Sequence, residues 1–136
     1  MVFKERIATL FPADTNNEPA LRVELTGQQN TVSIPVFVSL FKIHFQKKYK
    51  LTIAVRRENG DFLTSRDFNI SVPKSDKGEY IMKDETINIT GVFTMGGVFI
   101  PNVRDSETFQ LLATLQADDV FSPETSILSY FEARIK

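Results

Sequence analysis

Apolar residues recur at every second position along most of this chain, and that period constrains its fold more than any other property. Leu21, Val23 and Leu25 alternate with Arg22 and Glu24. Leu51, Ile53 and Val55 alternate with Thr52, Ala54 and Arg56, and Phe68, Ile70 and Val72 with Asn69 and Ser71. Near the end, Ile127, Ser129, Phe131, Ala133 and Ile135 alternate with Leu128, Tyr130, Glu132 and Arg134. Successive side chains of a strand point to opposite faces, so this pattern puts one face on a core and the other toward water. Val, Ile, Thr and Phe are plentiful, as a pleated surface favours. The pattern predicts strands near 5–11, 20–26, 31–46, 49–58, 62–72, 85–95, 97–101, 107–117 and 126–135. One stretch is ambiguous: Val2, Phe3, Ile7, Leu10 and Phe11 would also suit a short amphipathic helix.

The turn residues fit the same reading. Glu58-Asn59-Gly60-Asp61 separates two alternating runs, and Asn-Gly suits the positive φ angles of a type I′ hairpin turn. Gly96-Gly97 marks a second reversal or a bulge. The six prolines, at 12, 19, 35, 73, 101 and 123, fall at or near the expected strand ends. Pro73 to Glu85 is polar and reads as a long connection, with room for a short edge strand at Tyr80 to Met82. No segment repeats and no low-complexity linker divides residues 1–136, so one domain is expected. Many short strands with few helix signals argue for an all-β, two-sheet antiparallel sandwich of eight or nine strands. The twelve phenylalanines are expected to fill its interior.

The order of four stretches resembles a family of small bacterial single-domain β-sandwich proteins whose function is not established. These are Ile7-Ala8-Thr9-Leu10-Phe11, Leu25-Thr26-Gly27 leading to Ile34-Pro35-Val36, Tyr49 to Val55 ending in Glu58-Asn59-Gly60, and Phe109-Gln110-Leu111-Leu112-Ala113. The resemblance implies an Ig-like or C2-like two-sheet fold and brings no catalytic residues with it. The chain departs from that layout at Asn16-Asn17-Glu18-Pro19, where the N-terminal hairpin lacks the usual glycine.

Composition excludes several chemistries. With no cysteine there is no disulfide, thiolate metal site, iron–sulfur cluster or Cys nucleophile. A single histidine rules out three-histidine zinc sites. The sequence contains no Gly-x-Ser-x-Gly elbow and no Gly-rich phosphate loop. His44 alternates with Ile43 and Phe45 and is read as a solvated strand residue rather than a general base. Acids at Asp61, Asp67, Asp76, Asp84, Glu85, Asp105, Glu107, Asp118 and Asp119 fall in or near turns. Loops of a sandwich can gather such acids around Ca²⁺, but Asp is also what turns use on their own account. With no Trp, and only Tyr49, Tyr80 and Tyr130 to offer outward, a sugar-stacking face is disfavoured.

The one departure from mixed charge is basic. Lys42, His44, Lys47, Lys48, Lys50, Arg56 and Arg57 occur with Tyr49 in a stretch free of acids. If 36–46 and 49–58 form a hairpin through Gln46 to Lys48, these side chains gather as a candidate anion-binding face for phosphate backbones or acidic surfaces. Lysines at strand edges also block sheet-to-sheet aggregation, which is the competing explanation.

The expectation is therefore a non-enzymatic β-sandwich module, binding or structural. It would engage a protein partner, or a second copy, through loops or an edge strand, with the apolar side of 127–135, Leu128 and Tyr130, as one candidate. Anion or nucleic-acid binding through 42–57 is the alternative. No cofactor or metal is implied, no apolar run reaches the ~20 residues of a membrane helix, and a cytoplasmic setting is the default expectation.

Overall fold

All regular secondary structure in the described chain is β. The computed structural model describes residues 5–25, 31–45, 47–73, 86–100, 106–118 and 124–135. Eight strands run in order: β1 (Arg6–Pro12), β2 (Arg22–Leu25), β3 (Thr31–His44), β4 (Lys48–Arg57), β5 (Phe62–Ser71), β6 (Thr86–Phe99), β7 (Ser106–Ala117) and β8 (Thr125–Ile135). They form a three-stranded sheet in the order β1-β3-β6 and a five-stranded sheet in the order β2-β8-β7-β4-β5. The inner faces of both sheets supply one hydrophobic cluster, which is the two-layer arrangement the period-two pattern predicts. Pairing is antiparallel except between β2 and β8, which run parallel with Leu25 opposite Ile135. No helix of the described chain is long and apolar enough to cross a membrane.

Two expectations about single strands are settled by bulges. β1 is a strand, and its helix-like spacing has a local cause. The register with β3 slips between Ile7 and Thr9, so Ile7 and Leu10 both face the core although three residues apart. The expected strands 85–95 and 97–101 are one strand, β6. Between Met95 and Val98 it carries one more residue than β3 has between Val32 and Ile34, and Gly97 absorbs the excess at φ +63°. β3 has its own bulge, with Phe41 and Lys42 opposite Asn88 alone, and there Lys42 takes φ 60°. Its N–H is satisfied by the Asn88 side chain at 3.1 Å.

The phenylalanines do not form the core. Among the described residues only Phe109 and Phe131 are buried, stacked with centroids 5.5 Å apart. The interior is aliphatic instead: Ile34, Val36, Val38 and Leu40 of β3 share one buried cluster with Leu51, Ile53 and Val55 of β4 and Leu111 and Leu115 of β7. Each such side chain contributes roughly 1.5–3 kcal/mol on burial. Phe11 and Phe37 stack on the outer face of the smaller sheet, while Phe62 and Phe99 are exposed.

Two turns expected from sequence also differ in detail. At Arg57–Asp61 the Gly60 N–H donates to the Arg57 carbonyl at 2.9 Å and the Arg57 N–H to the Asp61 carbonyl at 2.8 Å. Only Gly60 has positive φ (+99°) and Asn59 does not, so this is a three-residue loop with a glycine bulge rather than a type I′ turn. Asp14 to Glu18 repeats the pattern, with the Asn17 N–H on the Asp14 carbonyl and the Asp14 N–H on the Glu18 carbonyl. Here Asn17 takes the positive φ (60°) that the missing glycine would have supplied. Asp14 Oδ1 accepts from the Asn16 and Glu18 N–H groups and holds the loop. Only one bridge, Ala13 to Pro19, closes it, because β1 and β2 then go to different sheets.

Candidate interaction edge

The expected basic hairpin does not form. β3 belongs to the three-stranded sheet and β4 to the five-stranded one, so the chain passes from one layer to the other between His44 and Lys48. The eight candidate residues divide into four groups. Lys42 sits on the β3 bulge. His44, Lys47 and Tyr49 meet at the corner, while Lys48 and Lys50 are exposed on β4. Arg56 and Arg57 lie at the far end of β4, about 30 Å from Lys48 at ~3.3 Å per residue.

The corner cations are held by one carboxylate that sequence reasoning missed. Glu5 accepts from Lys47 Nζ at 2.9 Å and from the Tyr49 hydroxyl at 3.0 Å, and its Oε2 lies 3.1 Å from His44 Nε2. The Tyr49 hydroxyl in turn accepts from the His44 backbone N–H at 3.0 Å. His44 is thus partly exposed, as expected of it, but paired rather than merely solvated. Tyr49 is buried and not offered outward. Burial alone would raise the Glu5 carboxyl, but hydrogen bonds from Lys47 and Tyr49, with the charges of Lys47 and His44, hold it below its usual value. Burial pushes the Tyr49 phenol up to about 12, against the His44 N–H and with help from the neighbouring Glu5 charge. The group is a clip that fastens the start of β1 to the β3–β4 corner. No signal in the sequence links Glu5 to residues 44–49, because the contact exists only once β1 has paired with β3.

At the other end of β4 the arginines are also occupied. Arg57 Nε lies 3.2 Å from Glu107 Oε1. Arg56 donates to the Gln110 side chain through Nε at 2.6 Å and through Nη2, and stands over the Phe62 ring. Gln110 donates onward to the Tyr130 hydroxyl at 3.2 Å. Leu128 and Tyr130 are exposed, and β2 covers β8 only over Glu132–Ile135, so among the described residues the β2-side edge of Thr125–Phe131 has no strand beside it. Of the acids, Asp61 and Asp67 are engaged locally, by Asn59 and Thr52 respectively. Asp76, Asp84, Glu85, Asp105 and Asp119 lie outside the described residues, as does the short strand expected at 80–82.

Among the described residues four strands end a sheet, and three of them carry devices that discourage pairing with another chain. β1 has Arg6, Pro12 and a bulge. β2 is four residues long and includes Arg22 and Glu24. β5 carries Arg66 and Asp67. β6 differs from all of them. Its fourteen residues, Thr86–Phe99, contain no charged side chain and no proline. Among the described residues its backbone pairs only with β3. Between Ile89 and Met95 its register with β3 is unbroken, so alternate N–H and C=O groups there point away from the sheet. Beside them, Ile87, Ile89 and Phe93 are only partly buried, although their partners on β3 are almost fully so. Phe93 meets Phe68 of β5 edge to face at 5.0 Å, and Arg66 of β5 donates to the carbonyl of Gly96 at the bulge. On the outer face Val92 is 43% and Phe99 59% exposed.

No protein-family model matches the chain, and no curated protein proves similar to it.

Proposed function

We propose that this protein is a non-enzymatic β-sandwich binding module that recruits a protein partner by adding a strand to the open edge of β6. One observation carries the reading: among the described residues β6 is the longest of the four strands that end a sheet, and the only one of those four without a charge or a proline. Unpaired main-chain groups supply affinity to an added strand, and the partly covered Ile87, Ile89 and Phe93 supply sites for its alternate side chains. The charged residues of the corner and of the β4 end are engaged with one another, which favours this edge over the basic residues as the place of contact. The Ig-like or C2-like placement belongs to the same proposal, with the parallel β2–β8 pair as its distinguishing mark.

Amide hydrogen exchange on the protein at high dilution tests it. Alternate amides between Ile89 and Met95 are expected to exchange as freely as those of a solvent-facing edge, while the β3 amides opposite are protected. Protection of every amide in that stretch would mean the edge is already covered, and would overturn the proposal.

A further inference from the structure

Resting on that reading of the β6 edge, we infer that its partner is a second copy of this chain, joined antiparallel about a two-fold axis through Val92. The unbroken stretch of β6 runs from Ile89 to Met95, with a bulge at either end, and Val92 is its midpoint. A two-fold axis there lays the regular stretch against itself and keeps both bulges outside the pairing.

The side chains agree with that register. Residues directly opposite share a face, with Cβ atoms roughly 4.5–5.5 Å apart. On the outer face Val92 meets its own copy and Thr90 meets Thr94, a pair that can hydrogen-bond across strands. On the inner face Ile89 meets Met95, and Phe93 meets Gly91. Within one protomer the Phe93 ring already leans over Gly91, where a Cβ would lie 3.2 Å from Phe93 Cε2. The result is one continuous six-stranded sheet, β1-β3-β6 extended by its copy.

Charge supports a like partner as well. An edge bearing several charges of one sign repels its own copy, whereas β6 bears none and the whole chain has a net charge of only −1. The contact is small. Seven residues span about 23 Å at ~3.3 Å each, below the standard interface size, so the association is weak and concentration-dependent.

The test is a charge exchange at the axis, read by sedimentation equilibrium from low micromolar to about 1 mM. The wild type is expected to form dimers within that range. Val92→Lys puts two ammonium groups face to face, and Val92→Asp two carboxylates, so each variant alone should associate at least ~10-fold more weakly. An equimolar mixture of the two should recover the dimer, because every mixed pair brings opposite charges together. Recovery in the mixture also shows that both variants are folded. A wild type that stays monomeric throughout, or a Val92→Lys variant that dimerises as well as the wild type, would overturn the inference. So would a mixture that fails to recover. Amide exchange separates this failure from that of the edge itself. Free exchange along 89–95 at both low and high concentration discards the second copy and leaves the edge for another protein. Protection at high dilution discards both.

Discussion

The β3–β4 corner and the β6 flank show opposite treatments of polar groups. At the corner, Glu5, His44, Lys47 and Tyr49 come from two separate parts of the chain and bond to one another around a single carboxylate. On the flank there are no charges to satisfy, only main-chain groups and half-covered apolar side chains. Of the basic residues that look most functional in the sequence, His44, Lys47, Arg56 and Arg57 therefore act within the fold. Among the described residues the uncharged strand has one side of its backbone unpaired. If the proposed reading holds, charge density is a poor guide to the binding surface of this protein, and the absence of charge along an edge is a better one.

If the corner is a structural clip, disturbing it should cost stability and leave association alone. The largest effect is expected for Glu5→Ala, which removes the shared acceptor of Lys47 and Tyr49 and should destabilise by about 2–3 kcal/mol in urea unfolding. Its acid dependence has a defined sign. The Glu5 carboxyl is held below its ordinary value of 4.5, so its contribution is fully present above pH 4.5 and is lost as pH falls through the folded-state value. The variant should show a flatter stability profile in that acid range than the wild type.

Tyr49→Phe comes next, at about 1–2 kcal/mol, since it leaves the His44 N–H without its acceptor. The phenol is raised from 10.0 to about 12, so its contribution is fully present below pH 10.0 and is lost as pH rises through about 12. Alkaline unfolding curves of the wild type should show this loss and those of Tyr49→Phe should lack it. Lys42→Gly acts in the other direction. A lysine held at φ 60° is strained, and glycine there should stabilise by about 0.5–1 kcal/mol in thermal or denaturant melts. The smallest effect on stability is expected on the flank, where Val92→Lys should stay within about 0.5 kcal/mol of the wild type. A large loss there would make Val92 part of the fold and not a surface left for a partner.

Strand positions were legible in the sequence because burial of one face writes itself as a period of two, and 31–44, 48–57 and 125–135 lie within a few residues of where that period puts them. Strand partners were not, because alternation says which side of a strand is buried but nothing about its neighbour. The adjacent runs 36–46 and 49–58 looked like a hairpin, yet the chain changes sheet at the corner between them. Local defects misled for the same reason. The bulge between Ile7 and Thr9 imitates a helical spacing, and the one at Gly97 imitates a strand end, although both lie inside continuous strands. Phenylalanine misled through its size: ten-ångström layers between sheets pack well with branched aliphatics, and most described Phe rings sit on rims and outer faces. The open edge was legible in part, since the uncharged run is plain in the sequence. That it lies at an edge follows only from the sheet order.

The parallel pairing of β2 with β8 also has a consequence for the order in which the protein can be made. Arg22 pairs with Glu132, so the second strand to leave the ribosome has no neighbour in its sheet until the eighth has followed. At roughly 5–20 residues per second that interval is on the order of 5–20 s. The β4–β5 and β7–β8 hairpins can each close as soon as their own turns are complete. The five-stranded sheet can therefore be built outward from those two hairpins, with its shortest strand the last to find its neighbour.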